Sequence, residues 1–418
     1  MSRSRKSRHP FAVLALAAAA ASALPALAAS PDGWTFAFDA RYRYEHVDQD
    51  NALRSASAQT LRTRLGVATP EWHGLSALAE ADNVSRIGGA RYNDTRNGRT
   101  GYSTVPDPQG TGVNQLVVKQ AFAGGDVRVG RQRINLDNQR FVGGVGWRQN
   151  EQTYDGGLVE LKPTASSVFT YAYVDSVDTV FGPDAPAAPN RTAPADIRGH
   201  SHLLNLRHEF GKYLKATAYH YRLGLDSIAV AADAPLGTLS SKTSGLRLQG
   251  QLAGVAYTLE HAWQSSLAGN PWVLDSRYRL VELGRGWGGV QWKLGQEVLG
   301  AGRGAGAGNR AFQTPLATKH VFQGWADMFL ATPADGLRDA YLGATAPLAG
   351  GQLQAAYHDF RSDRGGHRFG GEWDVAYSHA LPRAKGWTAM VKYAAYDSAD
   401  RARTVDTDKA WVQLQYTH

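Results

Sequence analysis

Trp34-Thr-Phe-Ala-Phe-Asp-Ala-Arg-Tyr-Arg-Tyr-Glu45 decides the fold class of this chain. Extended backbone points successive side chains to opposite faces. Phe36, Phe38, Ala40, Tyr42 and Tyr44 then share one face, and Asp39, Arg41, Arg43 and Glu45 share the other. One side of the strand is greasy and aromatic; the other is charged. In a soluble sandwich the greasy side would be core. Repeated through a long exported chain, the pattern fits lipid outside and a wet, charged lumen inside.

Export is read from the first residues. Arg3, Arg5, Lys6 and Arg8 precede an apolar stretch from Phe11 to Leu24 and the small-residue site Ala26-Leu27-Ala28, so 1–28 reads as a cleavable signal peptide. The alanine-rich stretch and Pro25 argue against a membrane helix, and no later run approaches ~18 apolar residues. The expectation is a signal peptide at 1–28 and one outer-membrane β-barrel over 29–418. Removing the signal removes four cations and no acid from a formal charge of +8, which halves it. A mildly basic exported chain is not expected to bind nucleic acid. The absence of cysteine excludes disulfides and thiolate chemistry. The 46 glycines, 11 tryptophans and 18 tyrosines suit tight turns and the interfacial girdles of a barrel.

Alternation recurs along the chain. Leu61, Thr63, Leu65 and Val67 oppose Arg62, Arg64 and Gly66; Tyr257, Leu259 and Trp263 oppose Thr258, Glu260 and Gln264; Phe369, Trp373 and Val375 oppose Glu372 and Asp374. About 18 such segments fit the chain at ~9–11 residues per membrane strand. Short turns are expected near Gly124-Gly125, Pro163-Thr164, Gly211-Lys212 and Ala253-Gly254. Long loops are expected at 86–113, 178–200, 225–243, 300–323 and 361–367. The closing strand alternates Val412, Leu414 and Tyr416 with Gln413, Gln415 and Thr417. The fold class is all-β: a single transmembrane antiparallel barrel.

Gly130-Arg-Gln-Arg-Ile-Asn-Leu-Asp-Asn-Gln-Arg-Phe-Val-Gly-Gly-Val-Gly-Trp-Arg-Gln-Asn-Glu-Gln-Thr-Tyr-Asp-Gly156 resembles the alginate export family of outer-membrane porins. So do Phe312-Gln-Thr-Pro-Leu-Ala-Thr-Lys-His320, Gly324-Trp-Ala-Asp-Met-Phe-Leu330 and Thr332-Pro-Ala-Asp-Gly-Leu-Arg-Asp339. The resemblance implies a monomeric 18-stranded barrel with an arginine-rich lumen that passes an anionic polyuronate. It also implies outer-membrane lipid as surroundings and periplasmic secretion partners.

The residues read onto the substrate path are Arg41, Arg43, Arg62, Arg64, Arg128, Arg131, Arg133 and Arg148, joined by Arg140 and accompanied by Asp39, Glu45 and Asp155. A guanidinium is always charged and grips a carboxylate through two hydrogen bonds, so a ladder of them suits a polyuronate. The competing reading is that nearby acids pair with these arginines and hold the wall together. Residues 312–338 read either as a loop folded inward, with Lys319, His320 and Trp325 near the lumen, or as a surface loop.

Enzymatic chemistry gains little. No G-x-S-x-G or H-E-x-x-H motif is present, and Gly302–Gly308 lacks the lysine of a phosphate loop. His200-Ser-His202 has no carboxylate at ligand spacing. No cofactor and no metal are expected. The function predicted is an outer-membrane channel for an anionic polysaccharide. The alternatives are a general or nutrient-uptake porin for small anions and sugars, and a secreted soluble all-β polysaccharide-binding or lyase protein.

Overall fold

The computed structural model describes residues 33–183, 192–267, 269–303, 306 and 308–418. The signal-peptide reading of 1–28 lies outside them. Eighteen strands follow in order: β1 (Thr35–Gln49), β2 (Ala56–Ala68), β3 (Leu75–Arg86), β4 (Gly110–Phe122), β5 (Gly125–Gln132) and β6 (Thr153–Thr164). Then come β7 (Ser167–Asp178), β8 (Asp196–Glu209), β9 (Lys215–Leu223), β10 (Ser241–Leu252), β11 (Val255–Ser266) and β12 (Asp275–Trp287). The rest are β13 (Val290–Leu299), β14 (Leu337–Leu348), β15 (Gly351–Arg361), β16 (Arg368–Ala380), β17 (Trp387–Ser398) and β18 (Thr407–Thr417).

Each strand pairs antiparallel with its sequence neighbours, and β18 pairs with β1, from Asp39 opposite Thr417 to Gln49 opposite Thr407. Closure leaves no free edge for another chain to template. The connections alternate between tight turns at one end and long loops at the other, as expected from the sequence. The four anticipated tight turns fall at strand connections.

The outward face is apolar. Phe36, Leu65, Leu116, Val129, Leu294 and Trp373 all stand more than half exposed. A soluble protein would not leave so continuous an apolar surface in water, but a bilayer covers it. Trp34, Trp72, Trp287, Trp387, Phe210 and Tyr213 gather at the short-turn end, exposed like the others. Aromatic rings with a polar edge settle at the headgroup level, so these mark one membrane interface.

Two expectations about facing are corrected. Arg131 pairs across the sheet with Leu116 and Asp155, in the row that holds exposed Val129. Arg131 and Asp155 therefore face outward, while Arg128, three residues earlier, faces the lumen. Phe369 was expected toward lipid, yet it is 1% exposed and packs on Phe329 inside. The register slips between Phe360 and Arg361, where β15 meets β16. A bulge of this kind places an extra residue in one strand and re-aims its side chain.

β5 has only 8 residues, against 13 in β4 and 12 in β6. After Gln132 the chain leaves the wall and folds into the barrel. A notch of about 760 Å³ remains above the short strand, lined by Val113, Arg131, Asp155 and Asp178. Arg131 bolts it: its Nε and Nη2 reach the Asp155 carboxylate at 2.8 and 2.7 Å, and its Nη1 reaches Val113 O and Asp178. Because this side chain is outside the lumen, Arg131→Gln should leave ion selectivity unchanged. A reversal potential shifted toward cations in that variant would contradict its placement.

Candidate functional site

Among the described residues, two long stretches fold inward from the long-loop end: 133–152 between β5 and β6, and 308–336 between β13 and β14. They pair with each other. Val142 bridges Leu316, Gly143 N–H donates to Leu316 O at 3.0 Å, and Thr318 N–H donates to Gln139 O at 3.0 Å. Phe141 packs against Tyr219, Tyr278 and Phe312 at 5.2 to 6.0 Å, sealing the pair onto one side of the wall. On that side Arg140 Nε donates to Glu297 at 2.6 Å and Nη1 to Thr314 at 2.8 Å. The inward reading of 312–338 is the one the fold adopts. Lys319 is partly buried beside Arg140, and burial followed by that neighbouring charge pushes its pKa down to about 8.

The opposite wall, β1 and β2, carries the predicted arginines. Arg41, Arg43, Arg62 and Arg64 do point inward, but each is at most 2% exposed because the first loop lies on them. Arg41 Nε donates to Gln149 Oε1 at 3.0 Å, Nη1 to Gly146 O at 2.9 Å, and Nη2 to Arg148 O. Gln149 in turn donates to Thr60 Oγ1 at 2.8 Å. Arg43 holds Gln413 at 2.6 Å, with Asp107 3.9 Å from its Nη1. Arg62 pairs with Asp39 at 2.5 Å, and Arg64 with Asp82 at 2.5 Å and Glu151 at 3.1 Å.

The remaining members divide between wall and loop. Arg128, on β5, holds its neighbour Asp126 at 2.7 Å. Arg133 leaves the wall with the loop and pairs with Glu151 at 2.5 Å and with Glu80. Burial opposes the charge on Glu151, but Arg64, Arg133 and Arg62 outweigh it and hold the carboxyl well below the usual range. Arg148 meets Glu45 at 3.0 Å, Asp327 at 3.3 Å and Asp107 at 3.6 Å. It stands on the loop, bridging both loops to β1. The ladder expected on the wall is thus part wall, part loop anchor.

A cluster the sequence reading did not assemble fastens both loops to β1, β16, β17 and β18. Trp147, 3% exposed, stacks on His320 with centroids 4.3 Å apart and planes 9° apart. Arg43 lies 4.0 Å and Lys392 Nζ 4.3 Å from the Trp147 ring centroid, and Lys392 is also 3.7 Å from that of Trp325. Such cation–π contacts gain strength when water is excluded. Lys409 Nζ reaches Asp327 at 3.0 Å. The N–H groups of Trp325 and Ala326 donate to Asp374 and Glu372. Gly324 permits that approach: its φ is +76°, and an added Cβ would lie 2.3 Å from a Glu372 oxygen. Strand parity alone could have flagged Lys392, Lys409 and Trp411 as inward; nothing local marks Trp147 as their partner.

His320 makes this fastening sensitive to acid. Its Nδ1 is 2.8 Å from Asp327 and its Nε2 2.8 Å from Lys392 Nζ. The partners assign a neutral ring that donates from Nδ1 and accepts at Nε2. Burial, reinforced by Lys392 and Arg148 and opposed by Asp327, holds its pKa well below the usual value. In a released loop the ring returns to water and a pKa of ~6.5. Protons therefore favour the released state: docking is at full strength above that pH and weakens as pH falls below it. Asp327 stays ionised through this window, because His320, Lys409 and Arg148 overcome its burial and hold it well below the usual range. Arg43, Glu45, Glu372, Asp374 and Lys409 complete the charged surroundings. Conductance should rise between pH 7.5 and pH 5, and His320→Gln should flatten that rise. A slope identical in wild type and variant would assign it to another group.

His200 and His202 hydrogen-bond to Tyr173 and Tyr171 at 2.7 and 3.0 Å on the outward face. Among the described residues no group of three or more histidines or carboxylates is arranged to hold a metal.

Comparison with known proteins agrees with this architecture. The structure resembles Pseudomonas aeruginosa OccK9 (OpdG), with a TM-score of 0.70 at 13% identity over 93% of this chain and 99% of that one. It resembles Acinetobacter baumannii OccAB4 with a TM-score of 0.68 at 14% identity, covering 92% and 98%. Pseudomonas aeruginosa OpdK, solved with vanillate, gives 0.66 at 13% identity, covering 92% and 98%. At these identities the likeness is one of fold. No curated protein sequence matches the chain. The sequence model described as alginate export matches residues 33–318, from the approach to β1 through the paired part of the second loop. The barrel is an outer-membrane channel of a Gram-negative cell. With most of its length matched, including both halves of the inward-folded pair, the chain belongs to the alginate export family.

Proposed function

We propose that this channel passes an anionic saccharide, an alginate-like polyuronate, along the arginine face of β1 and β2. One observation carries the reading. Arg41 forms no ion pair among the described residues and spends its donors on Gly146, Arg148 and Gln149. Among the described residues, the ion pairs of Arg41, Arg43 and Arg62 are Arg62 with Asp39 at 2.5 Å and, more distantly, Arg43 with Asp107 at 3.9 Å. A wall built only to stay wet has no need of surplus guanidinium, whereas a uronate carboxylate is the partner that a guanidinium fork fits. Toward the short-turn end, Arg207 and Lys215 share the inward row with Thr217 and with Glu209, which stands opposite Lys215 in register. Several weak sites in series let a charged polymer advance and leave.

A second reading, passage of small carboxylates, is favoured by the way the two loops crowd the lumen. A polymer requires them to move, while a small anion needs less room. OpdK, a structural neighbour, was solved with vanillate, a small carboxylate. Block of the single-channel current by mannuronate oligomers separates the readings. Millimolar hexamer should block with a residence time that lengthens with chain length, and neutral maltohexaose should not. Block by monomeric carboxylates without length dependence would favour the second reading.

A further inference from the structure

The arginine face is occupied by the protein's own loop, and the manner of occupation suggests what removes it. Arg41 directs every donor it uses at the loop segment 146–149: two carbonyl oxygens and one amide oxygen. All of these acceptors are neutral. Two further guanidinium nitrogens beside it, Arg43 Nη1 and Arg62 Nε, are buried and have no hydrogen-bond partner. Their side chains are each 1% exposed. Arg62 stands directly opposite Arg41 in the β1–β2 register, and Arg43 follows Arg41 on the same face of β1. Three guanidinium groups thus converge where segment 146–149 supplies neutral acceptors and the face of the Trp147 ring but no carboxylate.

We infer that segment 146–149 is a surrogate ligand on a latent carboxylate site formed by Arg41, Arg43 and Arg62, and that the permeating uronate opens the channel by displacing it. This rests on the proposed passage of anionic saccharide and adds that the substrate works its own gate. A carboxylate adds its own negative charge to these cationic donors and meets a guanidinium fork with two parallel bonds, so it outcompetes single neutral carbonyl oxygens for the same donors. It also satisfies orphaned donors that the loop leaves bare. The ligand binds these arginines only when the loop has left them. Its differential affinity for the released state is what shifts the gate. A neutral sugar of equal length lacks that difference and cannot shift it.

The chain contains no cysteine, so a single introduced thiol reports on the loop. Gly146→Cys keeps the backbone carbonyl that Arg41 holds. The rate at which a membrane-impermeant maleimide labels this thiol should rise at least five-fold with millimolar mannuronate hexamer. At matched ionic strength, sodium chloride or maltohexaose should leave it unchanged. In the Arg41→Gln background labelling should already be fast and indifferent to the hexamer. If that variant fails to show the heat-modifiable mobility of a folded barrel, Arg41→Lys keeps the cation, loses the fork and gives the same comparison. An unchanged labelling rate in a barrel whose current is anion-selective and blocked by the hexamer overturns the gating inference alone. An equal rise with sodium chloride overturns it as simple screening. A folded barrel with neither selectivity nor block overturns the proposed passage, and the gate with it.

Discussion

Trp147→Ala is expected to raise single-channel conductance several-fold while the barrel stays folded. Trp147 is the piece of the first loop that the second loop and the wall both grip, through His320 on its face and Arg43 and Lys392 over the ring. Truncating a buried tryptophan typically costs ~3–5 kcal/mol. The strand ladder closes through β1 and β18 without help from the loops. The loss should therefore fall on loop docking, where 3 kcal/mol is about a hundred-fold in the docked-to-released ratio. Recordings from planar bilayers would show the change, and heat-modifiable mobility would show that the barrel persists. Wild-type conductance in a folded variant would mean that the loops are held elsewhere.

Glu297→Leu is the second large effect. Glu297 accepts from Arg140 at 2.6 Å, from the Tyr278 hydroxyl at 2.6 Å and from Gln323. Arg140 is 1% exposed, so removing the carboxylate strands a buried cation. Breaking one side of such a pair costs about 3–5 kcal/mol, whereas replacing both partners with apolar groups is often close to neutral. The single variant should lower the denaturant midpoint and open the first loop to trypsin at its arginines. Adding Arg140→Met should recover at least half of the lost stability. Equal midpoints for Glu297→Leu and wild type would show that the pair does not hold the loop.

The barrel was legible because its two surroundings differ in polarity and the strand period is two. Phe36 and Arg41 cannot lie on the same face of an extended strand, and lipid on one side and water on the other select opposite residues. The same period, applied between 128 and 133, would have separated Arg128 from Arg131 and sent Arg131 outward beside Val129. What the sequence hides is where that period breaks. Phe369 changes face at a register slip created jointly with β15, and no local residue announces it. The departure of the chain from the wall after Gln132 depends on partners far away in sequence, such as Glu297, Leu316 and Thr318. An arginine on the wall and one on an inward loop look alike in composition. The surplus of guanidinium was readable; the loop lying across it was not.

Passage of an anion along the arginine face requires a lumen of net positive sign. The direct measurement is the reversal potential of the purified barrel in a planar bilayer under a ten-fold KCl gradient. Wild type should be anion-selective, and Arg41→Glu combined with Arg62→Glu should move the potential toward cation selectivity by reversing two charges on one wall. A wild-type potential near zero, or one that the double variant leaves where it was, would contradict an arginine-lined path.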